Sequence, residues 1–345
     1  MIEDGKATGQ RPRDEVPRAP PGAEPVRRDE GTAEDAGAPT RLTWSGWWAV
    51  LTRVRTAVTE GALWIHCGCV GFFGFLSLFP ILGLFVLLYG LLFDPADIEG
   101  QVETLRALVP VAVFDLLVAR LAELTANTTR DLTFGVVLTV AIGMWTGSRG
   151  VNAIVDLLNL AYHEPMPRSF LRRAVFTFAT TFAATLAVAI VLITVAALPV
   201  LIGRLGVGSG TETLALWGRW PVLAAFIFAG LVLLFRHGPH RRAAKVRWVA
   251  PGAAVSTILW IALSFAFSAY VERSNFYGAT FGTVSVAAVL MFWIYYSALA
   301  LAIGAILNAE LELQTRADST RGRDRPRGER RAVVADRLPK EVREE

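Results

Sequence analysis

Residues Tyr277–Leu311 read YGATFGTVSVAAVLMFWIYYSALALAIGAILNAEL. Between Phe281 and Leu307 there is no charged side chain. An α-helix rises ~1.5 Å per residue, so about 20 apolar residues cross a hydrocarbon core of ~30 Å. The stretch therefore predicts a membrane-spanning helix rather than a core helix of a soluble domain. Gly278 and Gly282 at its start, four apart, suit close approach of a second helix. Asn308 and Glu310 return polarity at its end.

The rest of the chain agrees. It has 345 residues, 53% of them hydrophobic, with ten Trp and twenty Phe and a mean hydropathy of +0.45. Soluble domains rarely reach such values, and the aromatics suit anchors at the two membrane surfaces. Six apolar runs are expected to span: 63–93, 132–148, 174–202, 214–235, 249–271 and 281–307. The formal net charge of +4 would suit a nucleic-acid binder. The basic residues lie in connectors and tails, however, which points to membrane topology and away from nucleic acid. Arg168, Arg172 and Arg173 follow the second run; Arg236, Arg241, Arg242, Lys245 and Arg247 follow the fourth; the alternate connectors are poorer. The positive-inside rule then places both termini in the cytoplasm.

Residues 1–40 are rich in Pro, Gly, Ala, Glu and Arg and predict a disordered cytoplasmic tail. The Arg-rich residues 314–345 predict another. Its arginines are candidates for attraction to anionic lipids of the bilayer. Between the tails, residues 41–313 form the expected membrane domain. Trp44, Trp47, Trp48, Leu51, Val54 and Val58 have near-helical spacing and predict an amphipathic helix on the membrane surface. The connector 94–131 predicts two short extracytoplasmic helices, with apolar stripes at Val102, Leu105 and Leu108 and at Phe114, Leu117, Leu121 and Leu124. The fold class is thus all-α, a polytopic six-span bundle.

Three motifs offer polar chemistry at or near membrane depth. In the first run, Ser77-Leu78-Phe79-Pro80 places a proline where it cannot donate to the carbonyl of Leu76. That carbonyl and the Ser77 hydroxyl fit either a broken helix lining a path or a packing kink with Ser77 bonded back to its own helix. Gly71 and Gly74 beside them suit helix contact. In the second region, Arg149, Asn152, Asp156 and Asn159 are spaced 3, 4 and 3 and share one helical face. That face either lines a cavity or faces water at the interface, with Arg149 the more suited to the interface. In the third, Pro251-Gly252 is expected in the first turn of the fifth span. Ser77, Pro80, Arg149, Asn152, Asp156, Asn159, Asn308 and Glu310 form the candidate polar lining.

These motifs, with Gly304-Ala305-Ile306-Leu307-Asn308-Ala309-Glu310-Leu311, resemble the YihY/BrkB family of bacterial inner-membrane proteins. The resemblance covers about residues 61–313. It implies a six-span integral membrane protein connected with envelope functions such as serum resistance. The family's usual form has Glu where Ile306 stands, so a mechanism needing that carboxylate cannot operate unchanged here. Glu310 is one turn further on. Family members have also been labelled ribonuclease BN. Nothing in the residues supports a nuclease, a cofactor or a metal site: His66, Cys67 and Cys69 make a poor zinc pattern, and the other histidines are scattered. The expectation is a transport or lipid-handling membrane protein and not an enzyme, with a structural or interaction protein of the envelope as the alternative.

Overall fold

A computed structural model describes residues 37–59, 61–92, 132–165, 174–175, 177–182, 186, 209–273 and 283–337. The connector helices expected in 94–131, most of the third expected span, Gly278, Gly282 and the tail before residue 37 lie outside the described residues. The described chain is helical without a β-strand. Its elements in order are α1 (Trp44–Val58), α2 (Gly61–Leu92), α3 (Leu132–Ala161), α4 (Ser209–His237), α5 (Val246–Arg273), α6 (Thr283–Leu313) and the single turn α7 (Val333–Asp336). Among the described residues, three segments are long and apolar enough to cross a membrane: Gly61–Leu78, Val246–Tyr270 and Ala287–Leu313.

Outward faces of these helices carry large apolar side chains. Ile65, Val222, Ile258 and Phe265 are each more than 65% exposed. A monomer in water rarely presents such contiguous apolar surface; hydrocarbon accepts it.

The short amphipathic α1 forms as its spacing predicts. Thr43 caps it by accepting the Gly46 N–H at 3.3 Å. Gly46, Val50 and Val54 face inward, while Trp44 and Trp48 are exposed. It packs along α6, which also contacts α2 and α5.

Glycines set those contacts. A Cβ on Gly71 would meet Tyr295 Cβ at 3.3 Å, and one on Gly74 would meet Ile294 Cγ2 at 2.9 Å. The tightest crossing was not anticipated. A Cβ on Gly252 would overlap the carbonyl oxygen of Gly304 and the Asn308 side chain, and one on Gly304 would overlap Ser256 and Gly252. Backbones meet there because both positions lack a side chain. Ser256 Oγ reinforces the seam by donating to the Ala300 carbonyl at 2.9 Å.

Two expectations need correcting. Pro251 does not open its helix: α5 begins at Val246 and Pro251 is internal. The polar face from Arg149 continues the second run, as α3 is unbroken from Leu132 to Ala161. Residues 314–337, expected to be disordered, are packed. Ser319, Thr320, Arg330, Val334 and Ala335 are buried. Composition failed because charged residues satisfied one another and the backbone locally. Asp318 accepts from the Thr320 N–H and hydroxyl and the Arg325 N–H. Burial pushes its carboxyl upward, but these donors and the Arg330 charge hold it below the usual range.

Candidate functional site: a buried polar cluster at the basic end of the bundle

The start of α5 and the ends of α3, α4 and α6 meet at one end of the bundle. Asn159 near the end of α3 accepts the His240 N–H at 2.8 Å, tying α3 to the α4–α5 connector. There α3 closes on His163, whose φ of 54° is left-handed. The Glu164 N–H returns to the Asn159 carbonyl at 2.9 Å, completing a Schellman-type cap. The cap turns Glu164 back towards the bundle end, where its Oε1 accepts the Val333 N–H at 2.8 Å.

At the centre, Arg241 of the α4–α5 connector grips Glu312 of α6 with both terminal nitrogens, at 2.9 and 2.7 Å. Neither side chain is exposed at all. Ser319 donates a third bond to Glu312, at 2.6 Å, and the guanidinium lies 4.1 Å above the Tyr162 ring. Burial alone would weaken the hold of Arg241 on its proton; the Glu312 carboxylate more than restores it.

Asn308 makes a second tie. Its Oδ1 accepts the Gly252 N–H at 2.7 Å and its Nδ2 donates to the Val249 carbonyl at 3.0 Å. Pro251, between those residues, leaves the Arg247 carbonyl four residues back without its helical donor, and the Asn308 amide ties α6 to the same turn of α5. Asn308→Leu removes both buried bonds, at about 0.5–1.5 kcal/mol each. We expect a clear fall in the thermal midpoint of the detergent-solubilised protein, while Asn308→Gln retains part of the stability.

Glu310 forms the third tie, an ion pair with Arg53 of α1, whose Nη2 also reaches Gln314 Oε1 at 2.8 Å. Two carboxylates in the last turn of a helix oppose its macrodipole. Arg53 and Arg241 are the cations that make this ending tenable.

The sequence candidates thus separate. Asn159, Asn308 and Glu310 come together at this end. Ser77 lies apart and donates to its own helix, to the Gly74 carbonyl at 2.8 Å. Pro80 lies in helical backbone of α2, with its side chain outside the described set. Asn152 accepts the Thr177 hydroxyl at 2.9 Å. Arg149 is exposed, 5.3 Å over the Trp145 ring, and Asp156 is half-buried. Ile306 is buried in the apolar core. Among the described residues no group of three His, Cys, Asp or Glu side chains is placed to hold a metal ion. Arg241, Glu312, Ser319 and Tyr162 were missed; the clue was the uncompensated acid at the end of α6.

Glu164 supplies a pH dependence. Burial pushes its carboxyl up to about 7, against the opposing pull of the Val333 N–H and Arg241. The folded state therefore binds a proton more tightly than the unfolded chain, whose value is 4.5. The stabilisation from this group is complete below that value and is lost as pH rises through about 7. Glu164→Gln is expected to flatten the fall in thermal midpoint between pH 5 and 8. The slope removed corresponds to on the order of 1–2 kcal/mol after solvent screening.

The sequence profile of the virulence factor BrkB family matches residues 67–329, most of the chain. The chain belongs to the virulence factor BrkB family. The match runs past Gln314 into the packed C-terminal segment, beyond the extent read from the motifs. A BrkB relative in Bacillus subtilis (strain 168), YfkH, named as a ribonuclease-like protein, is 31% identical over 255 residues, covering 70% of this chain and 87% of YfkH. The UPF0761 membrane protein IL2447 of Idiomarina loihiensis is 34% identical over 104 residues, 30% of this chain and 35% of that protein. UPF0761 membrane protein Smlt0865 of Stenotrophomonas maltophilia is 29% identical over 103 residues, 27% of this chain and 24% of that one. No solved structure matches. This BrkB chain is a helical membrane protein.

Proposed function

We propose that this BrkB protein is a six-span protein of the bacterial plasma membrane, with both termini cytoplasmic, that transports or handles a lipid or other envelope component and is not an enzyme. The observation that carries the reading is the basic end itself. Here α5 starts and α3, α4 and α6 end, cross-tied by Asn159–His240, Arg241–Glu312 and Asn308–Gly252. Since α3 and α4 both finish there, an odd number of crossings between them restores the alternation; the run 174–202 supplies one, making six. The density of arginine supports a cytoplasmic assignment of this end. Anionic lipid is the expected partner of its exposed basic residues.

Buried ionisable side chains in a membrane bundle are costly and point to a substrate or ion path, which supports the transport reading. The competing structural reading has its own support: Ser77 bonds to its own helix, and Asn152 and Asn308 each bond within the bundle. The name of YfkH raises a nuclease. Against it, Glu312 already accepts from Arg241 and Ser319, which leaves it poorly placed to serve a metal or a water.

The test is reconstitution of the full chain into vesicles, with scrambling of labelled envelope lipids and flux of anionic solutes as readouts. Accelerated movement of one class, reduced by Asn308→Leu at unchanged protein incorporation, supports transport. A correctly folded protein that moves none of them leaves the structural reading in its place. Metal-dependent cleavage of RNA that co-purifies with the protein and is lost in Glu312→Gln would revive the nuclease.

A further inference from the structure

The packed residues after α6 attach to three different parts of the bundle end. Ser319 bonds to Glu312 of α6. Main-chain bonds run from Lys245 N–H to the Ser319 carbonyl at 2.8 Å, from Arg321 N–H to the Ala243 carbonyl at 2.8 Å, and from Arg242 N–H to the Arg331 carbonyl at 3.0 Å. These join the segment to the α4–α5 connector, where Ala244 and Thr320 pair as an isolated antiparallel bridge. Lys245 Nζ adds bonds to the Asp318 carbonyl and to Asp324. The Val333 N–H reaches Glu164 beyond α3.

The same segment is knotted internally. The Arg330 guanidinium, 5% exposed, donates to the carbonyls of Arg325, Ala317, Ala335 and Arg316. Only a planar side chain with five N–H donors can hold so many carbonyls at once. One residue therefore makes the segment a unit, which engages or leaves as a whole. Its contacts with the bundle are main-chain bonds, the partly exposed pairs Arg242–Asp318 and Lys245–Asp324 and a small apolar anchor in which Val334 enters the core. Partly exposed pairs each add little, so the hold rests on a few main-chain bonds and that short anchor. That combination suits a two-state attachment better than a permanent weld.

We propose that Thr315–Arg337 is a releasable strap that holds the ends of α3, α5 and α6 and the α4–α5 connector together and keeps this end of the bundle closed. The functional sense of closure rests on the transport reading above; the mechanical claim does not, so the test separates them.

Hydrogen–deuterium exchange is measured on the full chain in lipid nanodiscs, comparing the parent with Arg330→Gln. Exchange is expected to rise at least tenfold in Thr315–Arg337 and also in Trp248–Ala253 and Ala305–Leu313, while the Gly71–Ser77 seam is unchanged. Faster exchange confined to Thr315–Arg337 overturns the strap. A second pair of substitutions, Ala244→Cys with Thr320→Cys in a Cys67→Ser, Cys69→Ser background, covers the case in which Arg330→Gln fails to fold. Antiparallel bridge partners lie close enough for a disulfide. The oxidised protein should exchange at least tenfold more slowly at the three helix ends than the reduced one, and equal rates overturn the proposal. If a flux is found, oxidation should stop it and reduction restore it. Flux unaffected by a strap that passes the exchange test refutes the gating sense alone.

Discussion

Glu312→Ala is expected to destabilise the protein by about 3–5 kcal/mol, the usual cost of removing one partner of a buried ion pair. The reason is geometric. Arg241 has no exposed side-chain surface, and truncating Glu312 leaves its two terminal nitrogens without the carboxylate they bond; Glu164 acts on it only through its charge. Ser319 loses its acceptor in the same step. The measurement is thermal or chemical unfolding in a fixed detergent of Glu312→Ala, Arg241→Ala, and Arg241→Met combined with Glu312→Leu. The last variant should recover most of the loss, because an apolar pair of similar volume needs no compensation. A single variant within 1 kcal/mol of the parent, on the order of a surface pair, would show that the charges are not held as described.

Gly252→Ala should cost about 3 kcal/mol, at the upper end of the range for overpacking. One methyl group is enough, because the position already touches the Gly304 carbonyl oxygen and the Asn308 amide. Neither can yield: one is backbone and the other is fixed by two hydrogen bonds. Separation of α5 from α6 would also loosen Ser256 from Ala300. Gly68→Ala is the control, since a Cβ there meets nothing within 4 Å; it should be neutral or slightly stabilising through helix propensity. Equal melting of the two variants would refute the close crossing.

These two sites show where sequence reasoning succeeds and stops. Hydropathy read directly into helices because apolar runs of such length have few other uses; α2, α5 and α6 follow. Spacing placed Arg149, Asn152, Asp156 and Asn159 on one face, and α3 is indeed a continuous helix there. What the face touches was not legible. The neighbours of Asn152 and Asn159 come from residues 25 and 81 positions away, and periodicity carries no information about them. Arg241 looked like one more topological charge, since nothing local distinguishes a solvated arginine from a buried one. The C-terminal segment misled for a related cause. Within Thr315–Arg337 its apolar content is only Ala317 and Ala332-Val333-Val334-Ala335, too little for a core by composition, yet enough when Arg330 and Asp318 satisfy the backbone around it.

The Asn308 tie has a consequence for how the protein is made. Gly252 leaves the ribosome before Asn308, 56 residues ahead of its partner. During that interval the Gly252 N–H and the Val249 carbonyl lack the asparagine that later ties them to α6. The α5 segment therefore reaches the insertion machinery without the side chain that fixes its start, and it is finished only when the next helix arrives. The two helices are in this sense one unit of biogenesis: chains cut short between them should be the form that quality-control proteases find.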